Sequence, residues 1–385
     1  MKDTEEPILG IVAACEAPSA DSGAFTPGAL MAEASSIVME QAGVTKDEVD
    51  GLWSASAYQY MPTLSLAEHL GIRPRYSDST TIGGSSFVAH LRHAAAAIKT
   101  GMCNVGILAY GSTQRTDGQR TVRSMSEPLA YEIPYGLAWP ISGYGLMATR
   151  HMHQYGTKPE HLAEIAVAAR EWAVLNPDCA QTKQLTIDDV LDSPMICSPL
   201  HRYDCCLVTN GGGAALVTSP ERARDLTDKP IYVWGVAESH RNRFVSAMPD
   251  YTSSPAQETA RPAMQQAGIT HDDVDTYHLY DAFTIAVLVM LEDLGLCAKG
   301  EAGAFLEDGR LRPGGPVPVN TSGGGLSYRH PGMLGIFLLI EAVTQLRNEG
   351  GPRQVSGADC SLVHGLGGVH MSGVTAVLGG PRWRI

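Results

Sequence analysis

Residues 41–57, QAGVTKDEVDGLWSASA, and residues 266–282, QAGITHDDVDTYHLYDA, repeat one order of features: a helix end, a glycine, an acidic turn and a strand. Gln-Ala-Gly, Thr, Asp, Val and Asp keep their register across the two copies. Gly43 and Gly268 stand where a helix closes in the left-handed region, which glycine enters without steric penalty. A repeat of this kind predicts two similar halves, and the segments downstream run in parallel too.

In the first half Val88, Leu91, Ala95 and Ile98 follow helical spacing up to Gly101, and VGILAYG then reads as a buried strand. In the second, Ile336, Leu339, Ile340, Val343 and Leu346 run to Gly350, and DCSLVHGLGG follows. GVTAVLGG at 373–380 mirrors GGGAALVTS at 211–219 as a closing strand. The chain therefore reads as a duplicated α/β fold with halves 1–228 and 229–385. Residues 112–200, irregular and rich in Tyr, Pro and Ser, are expected to form a lid or loop domain inserted in the first half.

A formal charge of −13 over 385 residues, with no Lys/Arg run longer than two, argues against a nucleic-acid surface or a polybasic membrane anchor. The acidic start MKDTEEPILGIVAAC does not suit a signal peptide, and no apolar run reaches the length of a membrane span. A cytoplasmic protein without a membrane span is expected. The eight cysteines lack CxxC spacing, and Cys205 and Cys206 are adjacent, which fits neither a zinc site nor a disulfide framework. His90 with His93, and His151 with His153, form no HExxH set, so no metal is expected. The Gly-rich runs match neither GxGxxG with a ribose acid nor a P-loop.

Chemistry is expected from four segments. In TIGGSSFVAHL, from 81, Ser85 or Ser86 could be a nucleophile, part of an anion cradle or a helix cap. NTSGGGLSYRHPGMLG, residues 320–335, brings Tyr328, Arg329 and His330 to the start of a helix, where exposed N–H groups favour a developing oxyanion. HLYDAF holds Tyr280, with Asp281 either functional or an N-cap, and DCSLVHGLGGVHMSG sets His364 and His370 around a glycine turn.

Together the blocks GGSSFVAHLRHAAAAIKTGMCNVGILAYGS, SPLHRYDCCLVTNGGGAALVTSPERA, YDAFTIAVLVMLEDLGLC and NTSGGGLSYRHPG resemble the thiolase superfamily over nearly the whole chain. The likeness is to its sterol-carrier and lipid-transfer type. It implies a five-layer αβαβα fold of two halves, a homodimer, and acyl-CoA as substrate with no cofactor beyond that coenzyme A. Counted back from Gly101, the position of a thiolase's acyl-accepting cysteine falls at Gly84, or at Ser85 if the alignment slips by one. The histidine of the HDxF motif is Tyr280, whereas the GHP histidine persists as His330.

A neutral serine needs a base to attack, so ordinary thiolysis is not expected. An oxyanion hole still suffices for retro-aldol cleavage of a β-hydroxyacyl-CoA. The pattern is similar to the thiolase-type aldolases of bacterial steroid side-chain degradation, which release propionyl-CoA from a 17-hydroxy steroid acyl-CoA and leave a 17-ketosteroid. That resemblance implies a small OB-fold, zinc-ribbon partner associated with an acyl-CoA hydratase. Tyr280 and Tyr328 are expected as the proton-transfer pair and His330 as the holder of the enolate oxygen. Gly84, Ser85, Asn320, Gly324, His364 and Gly367 are expected to bind substrate or oxyanion. The alternatives are a thiolase or acyltransferase with an unusual nucleophile, such as Ser85, Cys205 or Cys360, and a noncatalytic acyl-CoA-binding subunit.

Overall fold

The computed structural model describes residues 6–384 apart from 24, 58 and 118–130. Its strands are β1 (Leu9–Glu16), β2 (Gly51–Ser54), β3 (Tyr76–Asp78), β4 (Val105–Ser112), β5 (Met195–Cys197), β6 (Leu200–His201), β7 (Gly211–Thr218), β8 (Ile231–His240), β9 (Thr276–Leu279), β10 (Cys360–Gly367) and β11 (Ser372–Gly379). Nine of them lie in the order β3-β2-β4-β7-β1-β8-β11-β10-β9, while β5 and β6 pair separately.

The duplication is visible in the pairing. On one side of the central β1–β8 pair, β7 runs antiparallel to β1 and β4, and β2 then lies parallel to β4. On the other side β11 runs antiparallel to β8 and β10, and β9 lies parallel to β10. Even β3, parallel to β2, has a remnant counterpart in a parallel bridge from Tyr277 to Val319. Gly43 and Gly268 end their helices at φ 62° and 63°.

Helices cover this sheet in layers. Pro27–Ala42 packs on β1, β4 and β7, and Ala256–Ala267 packs on β8 and β11. Between the halves lie Ser86–Lys99 and Gly335–Leu346, which touch each other and strands of both halves. A helix enclosed in this way must be apolar nearly all round. In Gly335–Leu346 only Thr344 escapes full burial, and Glu341 is tolerated because Arg353 pairs with it at 3.0 Å.

The region 112–200 is more regular than expected. Beyond 118–130, which lie outside the described residues, it holds the helices Ile141–Tyr155 and Pro159–Leu175. Pro159 sits in the first turn, where its missing N–H costs nothing, and Leu162, Ile165, Ala169 and Trp172 bury one face.

Candidate active site

The turn before the helix Ser86–Lys99 is tied down by its serines. Ser85 Oγ donates to the Ile82 carbonyl at 2.7 Å and lies 2.7 Å from Ser372 Oγ. Ser86 Oγ donates to the Gly83 carbonyl at 2.6 Å and accepts from Ile82 N at 3.0 Å. Ser85 already has helical φ/ψ of −70° and −16°, so its hydroxyl caps no helix N–H. Ser85 is fully buried, and among the described residues no imidazole or carboxylate reaches its hydroxyl. Neither the nucleophile nor the cap is found here: Ser86 closes the turn on itself, and Ser85 fastens it to Ser372 at the head of β11.

That fastening brings two glycine turns together. A Cβ on Gly83 would stand 2.7 Å from Gly367 Cα, and one on Gly367 would run into the Ile82 carbonyl. At Gly84 the obstacle is Tyr280: a Cβ there would fall inside the phenol ring, 2.7 Å from its hydroxyl oxygen. The space a side chain at residue 84 would need is filled by Tyr280.

Tyr280 follows β9, with its N–H bonded to the His364 carbonyl at 3.1 Å. Its Oη lies 3.1 Å from His330 Nε2 and accepts from Leu334 N at 3.3 Å. The phenol and imidazole rings meet edge to face, centroids 5.6 Å apart. Burial holds the phenol well above the usual tyrosine range, so it keeps its proton at neutral pH. Burial also depresses His330 to about 4, leaving a neutral imidazole whose Nε2 can accept a hydrogen bond from that phenol.

The Gly-rich loop presents His330 through a π-helical turn, Gly324–Tyr328. Asp281 Oδ1 accepts from Gly325 N at 2.7 Å and Oδ2 from Leu326 N at 3.1 Å. A Cβ at Gly324, where φ is 58°, would collide with that carboxylate. Gly324 thus makes room for Asp281 rather than for substrate, and Asp281 caps the loop instead of its own helix. Burial pushes Asp281 up to about 7, against the pull of those N–H donors. His330 is fixed further on by Thr209, whose Oγ1 accepts from His330 N at 3.1 Å.

Three further expected roles change. Asn320 spends its amide on the backbone, accepting from Leu279 N and donating to Leu279 O, both at 2.8 Å. It fixes the strand end ahead of Tyr280, and its side chain also hydrogen-bonds the Asp281 carboxylate. His364 projects from the sheet face opposite the one Gly365 turns toward Ser85 and Val88. Its Nδ1 bonds Thr375 Oγ1 at 2.8 Å, and strand alternation therefore removes the ring from the substrate side. Tyr328 turns its hydroxyl to Glu16 Oε2 at 3.1 Å, beside the pair that Arg329 forms with Glu16 at 2.9 Å. Tyr280, His330, Gly84 and Gly367 are brought together, whereas Tyr328 and His364 are turned elsewhere.

Sequence reasoning missed the wall beside this centre. Phe283 stacks on Tyr144 at 4.3 Å, and Tyr144 Oη donates to the Gly368 carbonyl at 2.9 Å. The spacing YDAF holds Phe283 three residues after Tyr280, which was a usable signal; Tyr144, 136 residues earlier, offered none.

A two-half layered α/β sheet with paired glycine turns, and a histidine delivered by a Gly-rich loop, defines an enzyme of thiolase fold. The Thiolase C-terminal domain-like family model matches residues 237–380. An acetyl-CoA acetyltransferase from Methanothermobacter thermautotrophicus is 33% identical over 88% of this chain and 91% of its own. The 17-hydroxy-3-oxo-4-pregnene-20-carboxyl-CoA lyase of Mycobacterium tuberculosis is 34% identical over 90% and 92%. A solved structure described as the Ltp2-ChsH2(DUF35) aldolase superposes with a TM-score of 0.88 at 31% identity, covering 97% of this chain and 98% of that one. The chain belongs to the thiolase superfamily.

Proposed function

We propose that this protein is a carbon–carbon lyase that cleaves a β-hydroxyacyl-CoA by a retro-aldol reaction. The observation that carries the reading is the Tyr280 phenol standing in the space of residue 84, hydrogen-bonded to a neutral His330. The turn offers no nucleophile, and in its place stands a proton route.

In this mechanism the substrate hydroxyl gives its proton to Tyr280 Oη while the phenol passes its own to His330 Nε2. The C–C bond then breaks, its electron pair becoming the coenzyme A enolate as the carbinol carbon becomes a carbonyl. The thioester oxygen faces the turn at Gly84 and the N-terminus of the helix Ser86–Lys99, where the peptide dipoles supply about half a positive charge. His330 returns the proton to the enolate carbon, so one proton moves from the hydroxyl to the new short acyl-CoA and the enzyme is restored.

The names of the pregnene-carboxyl-CoA lyase and the aldolase support a 17-hydroxy steroid side-chain thioester as substrate, giving a 17-ketosteroid and propionyl-CoA. The aldolase's name also supports a DUF35 partner, the expected OB-fold, zinc-ribbon protein associated with an acyl-CoA hydratase. A cytoplasmic homodimer needing no cofactor beyond the substrate's coenzyme A completes the proposal. The acetyltransferase relative supplies no competing observation, because burial pushes Cys205 up to about 12 and Cys206 higher still.

The test is to incubate the full chain, alone and with the DUF35 partner, with a β-hydroxyacyl-CoA, and to assay for a ketone and a shortened acyl-CoA. A stable acyl-protein adduct found by mass spectrometry, without those products, would defeat the proposal.

A further inference from the structure

Arg170, in the helix Pro159–Leu175, is 5% exposed. Its Nε donates to Ser327 Oγ and its Nη1 to the Lys183 carbonyl, both at 3.1 Å. Both acceptors are neutral. Arg329 and Arg353, similarly enclosed, hold Glu16 and Glu341, but among the described residues no carboxylate forms an ion pair with Arg170. An enclosed guanidinium without a counter-charge is costly unless something supplies one.

Arg170 lines a pocket of about 240 Å³ together with Lys183, Arg202 and Tyr203. The Arg170 and Arg202 guanidinium carbons each lie 5.8 Å from the centre of the Tyr203 ring, which holds both cations in place. Two acids share the lining, Asp189 and Asp192. Asp189 Oδ2 already accepts from Thr186 N at 2.9 Å and Thr186 Oγ1 at 2.8 Å, and Asp192 is exposed at the rim. With a water occupying about 30 Å³, there is room for a tetrahedral oxyanion and part of its hydration.

We propose that this pocket binds a phosphate-class oxyanion, with Arg170 as the buried anchor and Lys183 and Arg202 as the outer contacts. With free phosphate as occupant the pocket stands apart from the lyase reading, and with a phosphate of coenzyme A it rests on that reading. Its occupant would be felt at the active centre, because Ser327 belongs to the turn Gly324–Tyr328 that delivers His330. Two sources share this chemistry, free phosphate and a phosphate of coenzyme A.

The experiment titrates the full chain with sodium phosphate against sodium chloride of equal ionic strength, followed by calorimetry and thermal melting. The expected result is saturable binding and a rise in Tm in the wild type, and binding at least tenfold weaker in Lys183→Ala and Arg202→Ala. Arg170→Gln should abolish it, and the two rim variants keep the test decisive should that buried substitution disturb folding. Displacement of phosphate by coenzyme A but not by 3′-dephospho-coenzyme A would identify the nucleotide's 3′-phosphate as the occupant. Displacement by neither would identify free phosphate. The proposal is overturned if phosphate gives no saturable response beyond that of chloride, or if both rim variants bind it as the wild type does.

Discussion

At the scale of single residues, the contact between Gly84 and Tyr280 decides what chemistry is open. Tyr280→Phe keeps the ring that fills the site and removes only the proton route. It should lower kcat/KM by about 10²–10⁴, the range for a lost general acid–base group, with a stability loss of about 1–3 kcal/mol because Leu334 N loses its buried acceptor. Tyr328→Phe removes a hydroxyl bonded to Glu16 and should leave kcat/KM within about threefold; steady-state kinetics of the two variants side by side check both. Gly84→Ala sets a methyl inside the Tyr280 ring, so the ring must move; a loss of about 1–3 kcal/mol on overpacking, read by denaturant melts, should accompany lost cleavage. Much at this scale was legible: GGSS places Gly84 by its distance from Gly101, and YDAF and RHP place Tyr280 and His330. The directions of Tyr328 and His364 were not legible, because a motif gives position along the chain and not side-chain direction. One step along a strand reverses the face, as at His364 and Gly365.

At the scale of elements, the Gly-rich loop keeps its shape through Asp281, not through its glycines alone. Asp281→Ala leaves the N–H groups of Gly325 and Leu326 without their acceptor in a buried place. The cost should be about 2–6 kcal/mol, from about 1–3 for each stranded donor, and His330 should lose its alignment. A lower Tm together with a fall in kcat larger than the rise in KM would report this; an unchanged Tm would show that water replaces the carboxylate. Helices and strands were legible wherever period and glycine caps agreed, as in Ser86–Lys99 and β11. The helix Pro159–Leu175 was overlooked although Pro159, Leu162, Ile165, Ala169 and Trp172 carry both a start signal and an apolar face. The π-helical turn had no such signal, because its geometry follows from a carboxylate 44 residues away in the chain.

For the whole molecule, the layered fold buries several histidines as neutral rings, and sensitivity to acid should follow. Burial depresses His90, His278 and His330 to about 4 and His364 to about 3, and holds His370 well below its usual value. In the unfolded chain each titrates near 6.5, so between about pH 4 and 6.5 the unfolded state binds more protons and stability must rise with pH. Asp281 and Glu16, both pushed up to about 7 by burial, act in the opposite sense, since the folded state holds their protons longer. His93, raised by its bond to Asp78, adds to that opposition. Asp204, Asp293 and Asp359, raised by burial, add to it as well, but their shifts are smaller, and the five histidines set the sign: stability rises with pH near pH 5.5. With total stabilities of about 5–15 kcal/mol usual for folded chains, the protein should unfold cooperatively on acidification before pH 4. Urea midpoints measured from pH 4.5 to 7 should climb steeply and then level off above about 6.5. A flat or falling profile would mean that these histidines take up protons in the folded state, and the neutral His330 on which the proton route depends would then be lost as well.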